Sequence, residues 1–367
     1  MDSDQLYVTN GALRADPDTA NVARFDINSE GQIKPAGIVE AGRGARGIVF
    51  TPEPDAAGQR FAYVSSQLDD RIDRYQVASN GALIFLGATP TQQPFGIAIS
   101  TDGRTVYVAN FEDGGNNGSL SAFHVGTGGV LTLLNKMESG AVHPKAVAVT
   151  PDGRLVYVSH GTPNSTEPSV ITGFTIDTDG SVQGKVAEAT ISRSGHRVVI
   201  TPDGRFVYVT NQEAGEKSDI FGFRIGDHGE LTPVSDEPFE AGVWTEGAAI
   251  SPDGRRLYVA ALGGVGPSDL PVQDGQIRGF AIRDDGRLTE IERIDFGFDP
   301  VDLAFGNDGR HLYVSDFSGH TITVFDVNVD GNLNPIQTES SQGRNPGFQS
   351  VAVLPDGHQD TREKSRQ

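Results

Sequence analysis

The residues best suited to chemistry in this sequence are histidine, arginine and glutamate side chains near the middle of the chain. His143 and His196 each stand a few residues before a Pro-Asp-Gly-Arg segment, at 151–154 and 202–205. Arg197 follows directly, and Glu213 comes soon after the second segment. Histidine exchanges protons near neutral pH, arginine binds carboxylate or phosphate, and a carboxylate orients a histidine or shares its proton. We therefore predict that these four residues form a catalytic group.

A second set of polar and aromatic residues is predicted to bind the substrate. Basic residues are gathered in these segments although the chain has a formal net charge of −20, and such clustering indicates a subsite for an anionic group. An alternative remains open: Arg197 pairs with Asp302 or with Glu213 between neighbouring repeats. The predicted binding residues are Arg46, Lys145, Gln212, Trp244, Glu246, Asp302 and Phe348.

A repeat through the whole chain must position these residues. A Tyr-Val pair recurs seven times, with its tyrosine at positions 7, 63, 107, 157, 208, 258 and 313. Most copies follow a tight turn such as Thr-Asp-Gly-Arg at 101–104, where Asp bonds the local backbone and Gly accepts a positive φ. Apolar strands flank each turn, and a third and a fourth strand follow. Each repeat of about 50 residues therefore predicts a four-stranded antiparallel meander.

Seven such sheets bury both of their faces when they pack radially, which predicts an all-β, seven-bladed β-propeller. The chain begins at the second strand of a repeat, at 6–10, and ends with an unpaired first strand in 348–357. We expect the C-terminal strand to complete the N-terminal blade, because this removes exposed sheet edges. The predicted organisation is a single propeller domain over 1–357 and a disordered tail over 358–367.

The repeat also predicts where a site lies. The longest loops join second to third strands on one face and form a bowl over the central channel; they are 10–21, 110–119, 160–169, 211–219 and 262–276. When the segments that enter each blade are aligned, two columns are predicted to face the channel axis. Small residues are expected where the strands crowd towards this axis, and Arg197 and Asp302 interrupt such a column. The adjacent column is Arg46, Phe95, Lys145, His196, Glu246, Val301 and Gln349.

Composition excludes several other classes. A strongly acidic surface repels phosphate backbones, so a small molecule is a more credible partner than nucleic acid. The absence of cysteine removes disulfides and thiolate chemistry. The Gly-x-Gly-x-x-Gly match at 42–47 runs into a strand, so no dinucleotide or other cofactor is expected, and no metal site is predicted. No membrane span or signal peptide is visible, which predicts a cytoplasmic protein. Nothing in the sequence indicates an oligomeric state.

A propeller built from Tyr-Val-x-Asn and Pro-Asp-Gly-Arg units resembles the lactonase family typified by bacterial 6-phosphogluconolactonase, which also includes fungal 3-carboxymuconate lactonising enzyme. The resemblance covers essentially the whole chain. It implies a propeller whose loop face hydrolyses or forms lactones. The family's His-rich segment matches Val142-His143-Pro144-Lys145, with Lys145 where a second histidine is common.

Two further segments depart from the family's pattern. The Pro-Arg-His segment matches Gly195-His196-Arg197, with the basic pair reversed, and the Asn-Glu pair matches Asn211-Gln212, with Glu213 one place later. A position that is often arginine falls near Ala249. These differences disfavour a standard sugar-phosphate lactonase.

Three functions are consistent with this pattern. The favoured one is an enzyme that hydrolyses a small anionic lactone, using His143 or His196 as acid and base and Arg197 with Arg46 or Lys145 as the anion subsite. A cyclase, isomerase or lyase of a biosynthetic pathway would use the same donors. A non-catalytic propeller would instead bind a ligand or protein on a shallow face without pKa-shifted histidines. A purely structural surface protein is the least supported function.

Overall fold

The structure is a computed structural model, which describes residues 4–11, 20–112, 118–162, 168–212, 217–263, 274–297 and 299–354. Within these residues the fold is all-β, with seven antiparallel sheets arranged as the blades of a ring. Each blade has four strands in sequence order from the central channel outwards, except that blade 1 takes its inner strand from the C-terminal end and blade 5 has its outer strand in two pieces. The predicted seven-bladed propeller is therefore confirmed.

The strand bounds follow the repeat. Blade 1 contains β1 (Gln5–Asn10), β2 (Asn21–Ile27), β3 (Ile33–Glu40) and the C-terminal β29 (Pro346–Leu354). Blade 2 contains β4 (Ala45–Phe50), β5 (Arg60–Ser66), β6 (Arg71–Val77) and β7 (Leu83–Pro90). Blade 3 contains β8 (Pro94–Ile99), β9 (Thr105–Asn110), β10 (Ser119–Val125) and β11 (Leu131–Glu138). Blade 4 contains β12 (Pro144–Val149), β13 (Leu155–His160), β14 (Ser169–Ile176) and β15 (Val182–Ile191).

The remaining blades complete the ring. Blade 5 contains β16 (Gly195–Ile200), β17 (Phe206–Asn211), β18 (Lys217–Ile225), β19 (Leu231–Pro233) and β20 (Phe239–Val243). Blade 6 contains β21 (Thr245–Ile250), β22 (Arg256–Ala261), β23 (Gln276–Ile282) and β24 (Leu288–Asp295). Blade 7 contains β25 (Pro300–Phe305), β26 (His311–Asp316), β27 (Thr321–Val327) and β28 (Leu333–Ser340).

Ring closure follows the sequence prediction. Strand β29 pairs antiparallel with β1, with Leu6 opposite Val353 and Tyr7 opposite Ala352. The two ends of the chain thus share one sheet. The predicted tail over 358–367 lies outside the described residues.

Blade 5 has an interrupted outer strand, which the repeat did not predict. Strands β19 and β20 both pair with β18, and the chain between them runs from Val234 to Pro238. Phe223 lies opposite Pro233 and Ile220 opposite Phe239, so the outer strand contains more residues than the strand it faces. Pro238 directly precedes β20, and a proline has no N–H to donate to the sheet ladder.

A ring of hydrogen bonds between blades explains the Tyr-Val repeat. Each repeat tyrosine donates from its hydroxyl to a glycine carbonyl in the next blade, at 2.5 to 3.0 Å. The acceptor glycines all lie in the turn between third and fourth strands and have positive φ. The pairs are Tyr7–Gly81, Tyr63–Gly129, Tyr107–Gly180, Tyr157–Gly229, Tyr208–Gly286, Tyr258–Gly331 and Tyr313–Gly31. All seven tyrosines are buried, so these bonds and the apolar clusters between blades stabilise the ring together.

The inner strands are bulged at the same place in all seven blades. In β21, for example, Thr245 lies opposite Ala261 but Ala248 lies opposite Val259, so Glu246 and Gly247 have no Cα partner on β22. The other six inner strands shift register at the corresponding residues. A bulge re-aims side chains and interrupts the ladder, and here it occurs at the residues that the aligned columns predicted to face the channel.

Candidate functional site

A chain of hydrogen bonds joins four of the predicted binding residues. Lys145 donates from Nζ to Oγ of Ser194 at 2.9 Å and to Oε1 of Gln212 at 3.3 Å. Gln212 donates from Nε2 to Oε1 of Glu246 at 2.5 Å. Trp244 donates its indole N–H to the same oxygen at 2.9 Å. Gln212 therefore lies between an amine and a carboxyl group that come from blades 4 and 6.

The carboxyl group of Glu246 is held by one oxygen. Its side chain is 1 % exposed, and Gln212 and Trp244 both donate to Oε1. Oε2 is buried and has no hydrogen-bond partner in the part of the chain that the structure describes. Burial raises the pKa of Glu246, while the indole of Trp244 and the charge of Lys145 oppose that rise. A carboxyl with a raised pKa and one unpaired oxygen can accept a proton from a bound water or substrate.

Lys145 is the buried cation of this group. Its side chain is 2 % exposed, and burial lowers its pKa, whereas the charge of Glu246 raises it. No salt bridge joins the two side chains within the described residues, so they interact through Gln212 and across space. An amine fixed by two hydrogen-bond acceptors can stabilise negative charge that develops on a bound molecule.

Arg46 supplies a second cation from blade 2. Its guanidinium lies 4.0 Å from the ring centroid of Phe95 and donates from Nε to Gln67 at 2.6 Å. Burial lowers the pKa of Arg46 to about 10, and the charge of Glu246 raises it. A guanidinium stacked on an aromatic ring is oriented for a planar anion such as a carboxylate.

His196 lies beside these cations on β16. It is 6 % exposed, and its ring packs edge-on to Phe95 with centroids 6.1 Å apart. Burial lowers the pKa of His196 well below its ordinary value, and nearby positive charges lower it further. Those charges belong to Lys145, Arg46 and Arg197. His196 is therefore neutral at physiological pH and can donate a hydrogen bond from one ring nitrogen and accept one at the other.

Arg197 and Asp302 do not form a salt bridge within the described residues. Burial nevertheless raises the pKa of Asp302, and the charge of Arg197 partly opposes that rise. Asp302 is fully buried, and its Oδ2 accepts a hydrogen bond from the backbone N–H of Val351. Nε of Arg197 and Oδ1 of Asp302 have no partner among the residues that the structure covers. Of the two open ion pairs of Arg197, the one with Asp302 is thus a longer-range interaction, and the one with Glu213 falls outside the described residues.

His143 lies at the outer side of this group. Its ring stacks on Phe111 with centroids 4.6 Å apart, and Nδ1 is 2.8 Å from Oγ1 of Thr162. Nε2 is 3.9 Å from a carboxylate oxygen of Glu112. Burial lowers the pKa of His143, the charge of Glu112 raises it, and that of Lys145 lowers it. His143 is thus close enough to Lys145 to sense its charge but has its own set of contacts.

His143 and Trp244 share an unusual backbone conformation. Both immediately precede an inner strand, and their φ values are 52° and 56°. The same position is left-handed in three other blades, at Gly44 (φ 70°), Gln93 (φ 37°) and Asn345 (φ 51°). The left-handed region costs an L-residue about 1 to 2 kcal/mol. The strain is therefore a feature of the repeat geometry, which places these two side chains.

Two of the predicted site residues, Glu213 and Phe348, have no described side chain. Glu213 and most of the long loops on this face lie outside the described residues, and so does the side chain of Phe348. Ser194 and Gln67 also belong to the group, and neither carries a signal in the repeat. Phe111 does carry one, because it is an aromatic residue that directly follows the second strand of blade 3, at the start of a long loop.

A cleft of about 580 Å³ lies on the opposite face, between blades 3 and 4. It is lined by turn residues such as Asp102, Arg104, Asp152 and Arg154. None of the predicted site residues contributes to it. In the described ranges, no three His, Asp or Glu side chains are grouped to hold a metal ion, and no helix is long and apolar enough to cross a membrane.

Comparison with known proteins gives a consistent answer on the family. A family model described as lactonase, 7-bladed beta-propeller, matches residues 8–167, 81–198 and 235–349. A protein from Bacteroides uniformis ATCC 8492, described as a candidate 6-phosphogluconolactonase, has a TM-score of 0.75 at 19 % identity, over 96 % of this chain and 100 % of that one.

Two further structures share the fold. Periplasmic gluconolactonase of Pseudomonas aeruginosa has a TM-score of 0.71 at 18 % identity, over 96 % of this chain and 99 % of that one. A hypothetical selenium-binding protein from Sulfolobus tokodaii also has a TM-score of 0.71, at 14 % identity, over 96 % of this chain and 93 % of that one. At these identities the likeness concerns the fold.

Proposed function

The chain belongs to the seven-bladed β-propeller lactonase family, and we propose that it is an enzyme that hydrolyses the ester bond of a small anionic lactone in the channel. The observation that carries this proposal is the state of Glu246. One oxygen of this buried carboxyl group is fixed by Gln212 and Trp244, and the other has no partner in the described part of the chain. Such a group is suited to accept the proton of an attacking water.

The proposed reaction needs one water and conserves all atoms. A water oxygen forms a bond to the lactone carbonyl carbon as one of its protons passes to Oε2 of Glu246. The carbonyl oxygen becomes negatively charged, and the cation of Lys145 stabilises it. The ring C–O bond then breaks, and the leaving oxygen takes the proton back, which yields a hydroxy acid.

The charges around the site support an anionic substrate. Arg46, Lys145 and Arg197 all act electrostatically on the buried, neutral ring of His196, so three cations converge on one part of an acidic protein. A carboxylate or phosphate on the substrate would compensate this local positive charge. We assign Arg197 and Arg46 to the anion and Lys145 to the carbonyl oxygen.

The roles predicted for the histidines remain part of the proposal. His196, being neutral, would hold the substrate by hydrogen bonds or pass a proton to the leaving oxygen. His143 would act at the outer side of the site. Glu213, which lies outside the described residues, keeps its predicted role of orienting a histidine or sharing its proton. The lowered pKa values of His143 and His196 favour catalysis over the shallow binding face of a non-catalytic propeller. The cytoplasmic location also remains a prediction from the sequence, which cell fractionation would test.

The test is a pH-stat hydrolysis assay on sugar, muconate-type and simple lactones. Wild-type protein is compared with Glu246→Gln, which keeps the shape and removes the base, and with Glu188→Gln on the outer strand of blade 4 as a matched control. We expect hydrolysis of an anionic lactone by the wild type and the control, and a loss of roughly a hundredfold or more in the Glu246 variant. Equal rates for all three proteins would refute the assigned base. Absence of turnover on every lactone would favour a cyclase, an isomerase or a binding propeller.

A further inference from the structure

The residue that follows each Tyr-Val pair lies on the second strand, directly behind the inner strand of its blade. Five of these seven residues carry a hydroxyl group, and all seven are buried. They are Thr9, Ser65, Ala109, Ser159, Thr210, Ala260 and Ser315. In four blades the hydroxyl crosses the blade boundary and donates to a backbone carbonyl of the next inner strand.

The acceptors of these four bonds are the residues of the column that is predicted to face the channel. Ser159 donates to the carbonyl of His196 at 2.7 Å, and Thr210 donates to the carbonyl of Glu246 at 2.7 Å. Thr9 donates to the carbonyl of Arg46. Ser65 donates to the carbonyl of Phe95 at 2.9 Å.

Hydroxyls of this set also accept a hydrogen bond from their own blade. Thr210 Oγ1 accepts from the backbone N–H of Arg197 at 2.9 Å, and Ser159 Oγ accepts from the backbone N–H of Ala146 at 3.2 Å. One threonine hydroxyl therefore links the backbone of Arg197 in blade 5 to the backbone of Glu246 in blade 6. These two residues lie in different sheets and share no ladder.

We propose that Thr210 is a positioning residue of the candidate site, which fixes Glu246 relative to Arg197 across the boundary between blades 5 and 6. Its importance for turnover rests on the proposed function; its effect on the position of Glu246 does not. The bulge in β21 leaves Glu246 without a Cα partner on the neighbouring strand. The threonine hydroxyl supplies the hydrogen bond that the interrupted ladder cannot supply.

The natural alanines indicate that this contact is not needed to assemble a blade. Ala109 and Ala260 stand at the same position in blades 3 and 6, which have four strands in the same order as blades 2, 4 and 7. The column residue after Ala260 is Val301. The column residue after Ala109 is Lys145, which its own hydrogen bonds to Ser194 and Gln212 hold in place.

The experiment uses the fluorescence of Trp244, the only tryptophan in the chain, because its indole donates to Glu246. Thr210→Val removes the hydroxyl and keeps the shape, Thr210→Ser restores the hydroxyl, and Thr210→Ala copies the natural residue of blade 6. The matched control is Thr201→Val. Thr201 is a similarly buried threonine of blade 5, whose hydroxyl donates to Asp203 and accepts from the backbone N–H of Phe206 at the opposite end of the strands.

We expect the midpoint of the pH titration of Trp244 fluorescence to move by about half a pH unit or more in Thr210→Val and Thr210→Ala. The midpoint should be unchanged in Thr210→Ser and in Thr201→Val, even if Thr201→Val lowers the free energy of unfolding as much as Thr210→Val does. On a lactone that the protein hydrolyses, kcat/KM should fall by roughly tenfold or more in Thr210→Val and Thr210→Ala only.

A wild-type midpoint in both hydroxyl-free variants would overturn the positioning role, and so would an equal shift in Thr201→Val. If no lactone is turned over by any protein but the fluorescence midpoint moves as expected, the proposed function fails and the positioning role stands. The fluorescence titration needs no substrate. If either Thr210→Val or Thr210→Ala fails to fold, the other variant still gives the measurement.

Discussion

The indole N–H of Trp244 donates to Oε1 of Glu246 at 2.9 Å, at a point where the backbone of Trp244 is left-handed. Because no other tryptophan is present, fluorescence reports on this carboxyl group. Burial raises the pKa of Glu246, so we expect a titration midpoint above the ordinary carboxyl range near 4. Glu246→Gln should abolish this titration and Glu188→Gln should retain it. A titration that persists in Glu246→Gln would show that another group is responsible.

Arg197 is expected to matter for substrate but not for folding. Its backbone N–H bonds Thr210, and its side chain makes no salt bridge within the described residues. Arg197→Ala should lower kcat/KM on an anionic lactone by roughly a hundredfold or more and change the free energy of unfolding by less than about 1 kcal/mol. Arg154→Ala, on the opposite face, is the control and should leave activity unchanged. A fully active Arg197→Ala protein would exclude the proposed anion subsite.

The glycine that accepts each tyrosine bond should not tolerate a side chain. Gly229 has a φ of 91°, and a Cβ there would lie 2.7 Å from Leu155 in the neighbouring blade. Gly229→Ala should cost about 3 kcal/mol or more of unfolding free energy. Gly58→Ala combines a positive φ with open space and should cost about 1 kcal/mol. Gly184→Ala has neither feature and should cost less. Denaturant titration measures all three, and equal costs would contradict the close approach between blades.

The seven repeat tyrosines that bond neighbouring blades predict a loss of stability at alkaline pH. Burial raises the pKa of every repeat tyrosine above its ordinary value near 10. The unfolded chain therefore releases these protons first, so stability is complete below about pH 10 and falls as pH rises further. The free energy of unfolding should decrease more steeply above that pH in the wild type than in Tyr157→Phe. Tyr157→Phe should itself cost roughly 1 to 2 kcal/mol at neutral pH, and an identical alkaline slope would exclude Tyr157 as a contributor.

The buried side chain of His160 predicts a loss of stability at acidic pH. It is fully buried at the end of β13, its Nδ1 lies 3.2 Å from the carbonyl of Val170, and burial lowers its pKa to about 4. The unfolded histidine binds a proton near pH 6.5, so the contribution to stability is full above that pH and is lost as pH falls towards 4. Between about pH 7 and 5 the loss should be about 2 kcal/mol. His160→Gln should lack this component, and His124→Gln, on an exposed side chain, should retain it.

Much of the fold could be predicted because its signals are local. Asp-Gly turns between apolar strands specify hairpins whatever surrounds them, and a period near 50 residues fixes how many hairpins there are. The shared period also aligns Arg46, Lys145, His196 and Glu246 in one column, because each enters its blade at the same step of the repeat. The interrupted outer strand of blade 5 was not predicted, because Val234–Pro238 departs from the repeat in only one copy.

The sequence by itself determined a closed ring of seven blades and the aligned columns of residues at the start of each blade, because both follow from turn chemistry and strand period. Only the tertiary structure decided that Gln212 lies between Lys145 and Glu246, that Thr210 joins Arg197 to Glu246, and that Oε2 of Glu246 has no partner among the described residues. The hydrogen bonds of these relationships that cross blade boundaries span 34 to 67 residues of chain, so no local pattern encodes them. The pKa values depend on burial and on charges from several blades, which exist together only once the ring has closed.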